Sequence, residues 1–376
     1  MNGRRIELLK GLAILFILIF NGINYWLNSQ GILMEIVAYI IVILDLFGAT
    51  FYIFLNLFNI SFILEKRMGC IADKKKRNKI LKQGLFLIIL GFPFNMIVTP
   101  VKVFPFNLWG WNILTFLGFS QIICYLAYKM VRWTRIIIGL AIIFLTSGIR
   151  EVLFYSKDFH IILKVCYFIV VSPYPNYSLL PYAAFCFFAT VFSELIYEAK
   201  ILESSIAEIN AIKSVLKYGI VLLVVGLIIP FAEFNPIITE SSLNMYPFLD
   251  MPSILKSQFL VFIPSLPGFL LKGTPANIFF NMGIALLLIG FIYYVSYYKQ
   301  LEGKISRSII LFGQNSLTIL FLQFLFLSFF NQLIPLWLIS FVIILFLIGL
   351  GILVYLWVNF LYKFPTIDKL LVILIR

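Results

Sequence analysis

Charge is scarce in this chain. Only 12% of its 376 residues are Asp, Glu, Lys or Arg, while 62% are hydrophobic, and the mean hydropathy is +1.04. A soluble domain is about half apolar and a quarter charged. So little polar surface cannot cover a soluble globule of this size. A cytosolic enzyme, a secreted domain and a disordered chain are therefore excluded. Histidine is scarcer still: His160 is the only one. That argues against a His-rich metal transporter and against a relay of histidines. The four cysteines, Cys70, Cys124, Cys166 and Cys186, form no CxxC and no Cys/His pair at metal spacing. A disulfide framework and a zinc site are both unexpected, and no metal is expected. A phosphate loop, a nucleophile elbow and an HExxH motif are all missing.

What the chain has is long apolar runs. A helix needs about 20 apolar residues to cross a bilayer. Ten stretches approach that length: 8–27, 43–64, 84–99, 109–128, 136–149, 178–197, 216–232, 274–297, 309–329 and 336–361. Of these, 84–99 and 136–149 are short. Three further stretches, 31–42, 159–171 and 258–271, read as interfacial or re-entrant pieces. The first run is read as a span and not as a cleaved signal peptide, because its apolar core is long and more spans follow. The expected fold is an all-α, polytopic transmembrane helical bundle of about 10 spans, forming one integral-membrane domain over 1–376.

The net charge of +13 is a topology signal. With the N-terminus in the cytoplasm, 23 of the 29 basic residues fall on cytoplasmic segments, the densest run lying between Lys66 and Lys82. The positive-inside rule fits that orientation, and an even number of spans then puts both termini in the cytoplasm; the expected location is the cell membrane. Nucleic-acid binding is not needed to explain the charge. The stretch 198–215, with Glu203, Glu208 and Lys213, reads as an amphipathic surface helix on that side.

Polar groups inside apolar runs cost energy, so each needs a partner or a purpose. Asn21, Asp45, Asn112 and Gln323 fall at similar depth toward the outer side, where four polar side chains could line one cavity. Asp45 is the ionisable one and the candidate base. Asn56, Asn59, Gln121 and Gln314 read as helix-to-helix hydrogen-bond formers. His160 follows Lys157-Asp158-Phe159; it reads as a solvated or capping residue, with acid–base catalysis as the competing role. Lys74, Lys75, Lys76 and Arg77 could grip the phosphates of a nucleotide-like cofactor such as coenzyme A. The competing reading is retention of the loop inside and contact with anionic lipid. Tyr25, Trp26, Trp109, Trp111, Trp133 and Tyr297 read as interfacial anchors.

The first span opens Arg5-Ile6-Glu7-Leu8-Leu9-Lys10-Gly11-Leu12-Ala13-Ile14-Leu15 and runs on to Asn21. Asp45-Leu46-Phe47 precedes Phe51-Tyr52-Ile53-Phe54-Leu55 and Asn59-Ile60-Ser61. Trp111-Asn112-Ile113-Leu114 with Gly118, then Leu180-Pro181-Tyr182, then Gly313-Gln314-Asn315-Ser316-Leu317-Thr318 follow in order. This succession resembles the heparan-α-glucosaminide N-acetyltransferase catalytic-domain family, within the wider acyltransferase-3-like membrane acyltransferases. The resemblance implies a cytoplasmic acyl-CoA co-substrate and a sugar or lipid acceptor, through its hydroxyl or amine, at the outer face. By position and residue type alone, Asp45 is the candidate base and Asn21 the candidate donor to the oxyanion. The chain departs from the pattern in places. Residues 22–44 hold no histidine, Asn21 stands where the wider group has a histidine, Lys10 replaces an arginine and Asn59 a glycine. A transporter or flippase of a lipid-linked substrate, and a non-catalytic relative that binds a partner or lipid, are the competing functions.

Overall fold

Inside a bilayer every backbone N–H and C=O must be satisfied within the protein, which leaves the helix as the natural form for uninterrupted apolar runs. The computed structural model describes residues 3–28, 46–68, 74–98, 108–171, 178–229, 273–298, 303–327, 333–360 and 365–375, with the single residues 40, 44 and 269. Every regular element among them is helical, and the fold is all-α. The one β feature among the described residues is an isolated parallel bridge between Leu27 and Ile334.

In chain order the helices are α1 (Gly3–Trp26), α2 (Phe51–Met68), α3 (Lys74–Val98), α4 (Ile113–Tyr128), α5 (Arg132–Ser156) and the short α6 (Ile161–Cys166). They continue with α7 (Leu179–Ile201), α8 (Ser205–Ile228), α9 (Pro275–Tyr298), α10 (Lys304–Gln314), α11 (Ser316–Leu327), α12 (Leu336–Phe360) and α13 (Ile367–Ile375). A π-helical turn, Leu46–Thr50, leads into α2, and another, Tyr167–Val171, continues α6. Among the described residues seven helices are long and apolar enough to cross a bilayer, and α10 with α11 makes an eighth if the bent pair is one span. The protein is thus a multi-pass membrane protein.

The expected boundaries shift in informative places. The run 136–149 belongs to a helix of 25 residues, because Arg132, Arg135 and Arg150 at its flanks are ordinary helix formers and nothing breaks it. The runs 84–99 and 109–128 fall in shorter apolar helices, Ile80–Met96 and Ile113–Tyr128. The separate surface helix expected over 198–215 is not formed. The chain breaks at Leu202–Ser204, with Glu203 at φ 47°, and from Ser205 one helix runs on to Ile228. No Gly or Pro interrupts 205–218, and the buried Ala211, Ile212 and Val215 give that stretch a packing face. Stretch 159–171 forms α6 and its π-turn, with Phe159, Ile161 and Ile162 exposed. Nearly all of 258–271 and of 31–42 lies outside the described residues.

The chain divides into two compact units. The first comprises 1–55, 252–262 and 291–376. In it α1 crosses α10 at two glycines. A Cβ on Gly11 would overlap the Ile309 carbonyl, and one on Gly313 would overlap the Glu7 carbonyl. Close backbone approach of this kind is how small residues let apolar helices associate without a hydrophobic drive. Further along, α1 meets α11 and α12. The Trp26 indole N–H donates to the Leu327 carbonyl at 3.1 Å, and its ring meets Phe346 edge-on at 4.9 Å.

The second unit comprises 56–251 and 263–290. Its central helix is α7, of which 78% of the span lies buried, against 22% for α5. α7 is therefore the core element, and α5 presents most of its surface to the surroundings. α3 packs on α4 where Gly84 and Gly118 approach each other's carbonyls.

Gly11→Ala and Gly313→Ala should each destabilise the protein strongly, because backbone and not a flexible side chain must yield. Gly148→Ala, on α5 with nothing within 4 Å, should be neutral or stabilising by up to ~1 kcal/mol. Thermal unfolding of the three variants in one detergent checks the contrast.

Candidate functional site

The first unit carries a break between two helices. α10 ends at Gln314, and α11 starts at Ser316 with its axis turned by 80°. Asn315 leaves the helical region (φ −116°, ψ 29°) and returns its amide and side chain to the Leu311 carbonyl. A helix start leaves up to four N–H groups without intrahelical partners. Here two of them have a built-in acceptor. The Asp368 carboxylate of α13 takes the Leu317 N–H at 3.2 Å and the Thr318 N–H at 3.0 Å. The Thr318 hydroxyl also donates to it at 2.9 Å, and the same hydroxyl accepts the Ile367 N–H at 3.0 Å. The wholly buried Tyr52 donates its hydroxyl to Ser316 Oγ at 2.8 Å. On α1, Lys10 pairs with Glu7 at 3.5 Å. The bend is therefore a polar node, assembled from the early and the last segments of the chain.

A second polar pair lies along the α1–α11 contact. Gln323 is fully buried; its amide nitrogen donates to the Ile17 carbonyl at 3.3 Å, and its Oε1 has no hydrogen-bond partner among the described residues. Asn21 is buried one helical turn beyond Ile17, on the same face. Two of the four side chains expected at one depth thus share one helix contact.

The other two are not seen to join them. Asp45 lies outside the described residues. Asn112 sits in the second unit as the N-cap of α4. Its Oδ1 accepts from the Leu114 and Thr115 amides, both at 2.9 Å, and its Nδ2 donates to the Gly91 carbonyl at 2.8 Å. Its hydrogen-bonding capacity is largely spent on capping α4 and tying it to α3, so it is a structural residue.

His160, also in the second unit, is exposed and precedes α6 without a side-chain capping bond. Lys74, Lys75, Lys76 and Arg77 form the first turn of α3; their side chains lie outside the described residues. Among the described residues no three His, Cys, Asp or Glu side chains converge as metal ligands would.

Two features of the second unit are not evident from hydropathy and charge alone. Arg150 lies on α5 and is almost fully buried, bonded to the Ser178 hydroxyl and within 3.5 Å of the Gly273 carbonyl. Arg132 and Arg135 of α5 pair with Glu194 of α7, and Arg132 also with Glu198. The spacing is the signal that could have found them: 132/135 and 194/198 are each one turn apart, so each pair shares a helix face.

No protein-family model matches the chain, and no curated protein matches it in sequence.

Asn112→Ala should cost about 1–2 kcal/mol, the usual loss for an N-cap, and removal of the hydrogen bond to Gly91 should add to it. It should leave any substrate handling by folded protein unchanged. Chemical unfolding beside a functional assay checks both halves.

Proposed function

We propose that this protein is a membrane acyltransferase. It takes an acyl group, acetyl in the simplest case, from a cytoplasmic acyl-CoA and passes it to a hydroxyl or amine of a sugar or lipid at the outer face. The reading includes about ten spans, both termini in the cytoplasm and residence in the cell membrane. One observation carries it. Three of the segments that resemble the acyltransferases come together at the α10–α11 bend: Glu7 and Gly11 from the first, Tyr52 from the second, and Gly313, Ser316 and Thr318 from the last.

In this reading Asp45 takes the proton of the acceptor as its oxygen or nitrogen attacks the thioester carbonyl. Asn21 donates to the oxyanion, and coenzyme A leaves as the thiolate. His160 is the alternative base. The basic turn Lys74–Arg77 holds the coenzyme A phosphates by charge.

A second reading rests on the bend itself. Broken helices are the form in which many transporters build their substrate and ion sites. A transporter or flippase of a lipid-linked substrate would use α10–α11 as its moving element.

Membranes carrying the wild type, Asn21→Ala or Asp45→Ala, incubated with labelled acetyl-CoA, separate the two. The acyltransferase reading expects label in lipid or glycan, reduced at least about 100-fold by loss of the base, on the scale of general acid–base catalysis. No transfer by folded wild type, together with substrate movement in sealed vesicles, supports transport instead.

A further inference from the structure

The C-terminal helix α13 is nine residues long, and its first two residues bind the bend by a reciprocal exchange. Ile367 donates its N–H to the Thr318 hydroxyl, that hydroxyl donates to Asp368, and Asp368 also takes two backbone amides of α11. One carboxylate thus supplies the acceptor for three of the four bonds. Thr366 just before the helix and Leu371, a turn beyond Asp368, are buried, so the contact is a small folded joint and not a loose tail.

We propose that α13 is a clasp over the α10–α11 bend, closed by Asp368 and opened or closed by the protonation of that carboxylate. The device is independent of the acyl-transfer reading, since it concerns only what holds the bend.

The surroundings of the carboxylate set the sign. From α1 it feels the charge of Lys10, which is itself paired with Glu7. From α11 it meets the Thr318 hydroxyl and amides only; Ser316–Leu327 contains no ionisable side chain. On α13 its neighbour Lys369 is exposed. Burial pushes the Asp368 carboxyl above its ordinary value, against the pull of the Thr318 and Leu317 donors and of Lys10. Asp368 lies outside the long apolar helices. A docked acid that holds its proton to higher pH than the released acid docks better as pH falls. The gain begins as pH drops through the docked pKa and is complete below the free value of about 3.9. When protonated, the acid can donate its own O–H to the Thr318 hydroxyl, so docking needs no loss of the joint. Acid closes the clasp, and alkali loosens it. Loosening leaves the first amides of α11 without their acceptor, and α11 becomes free to change its angle to α10.

Hydrogen exchange of the Leu317 and Thr318 amides in the full-length protein in nanodiscs reads the clasp, after correction for the intrinsic pH dependence of exchange. In the wild type, protection should rise severalfold as pH falls from about 8 towards the free carboxyl value of about 3.9. Asp368→Asn, the neutral isostere, should remain protected and lose the pH dependence. Asp368→Ala should lose protection at every pH. Wild-type protection that does not change with pH overturns the proposal, as does an Asn variant as unprotected as Ala. If the Ala variant does not fold, the wild-type and Asn comparison decides alone.

Discussion

The bend between α10 and α11 exposes helix-end donors where the surroundings are mostly apolar, and the rest of the first unit is arranged to satisfy them. An unpaired amide buried away from water costs roughly 1–3 kcal/mol, so a break in an apolar helix persists only where partners are supplied. Asp368 supplies three acceptor contacts and Tyr52 fixes the hydroxyl of the first residue. The approach of α1 to α10 at Gly11 and Gly313 holds the near side of the bend. These partners come from the first, second and last parts of the chain. Further along α1, Trp26 adds contacts with α11 and α12.

Much of the fold was legible because hydrophobic length is a local property. The apolar runs became helices wherever no breaker intervened, and Leu336–Phe360 and Pro275–Tyr298 lie almost where hydropathy puts them. Helix extent was less legible. The charged ends of α5 and α8 gave a false stop signal, since arginine and lysine extend a helix as readily as they flank a span. The bend was invisible to a window of hydropathy, because the polar interruption Gln314-Asn315-Ser316 is too short to divide one apolar window into two.

The candidate site was legible in part. Asn21 and Gln323 stand out as polar groups in apolar segments, and the α1–α11 contact does bring their segments together. Asn112 carried the same signal for a different reason: its amide caps α4 and ties it to α3. A single sequence cannot separate a buried amide that caps a helix from one that awaits a ligand, because both obey the rule that buried polar groups need partners. Asp368 escaped attention because it sits in a short charged-flanked tail beyond the last long span. Its importance comes from a hydrogen bond to a residue 50 positions away in sequence.

The most direct test of a node held together by distant segments is the energetic coupling between Tyr52 and Ser316. Unfolding free energies of Tyr52→Phe, Ser316→Ala and the double variant give that coupling. A buried hydroxyl pair at 2.8 Å predicts a coupling of about 0.5–1.5 kcal/mol. Strict additivity of the two substitutions would contradict the convergence of these segments at the bend.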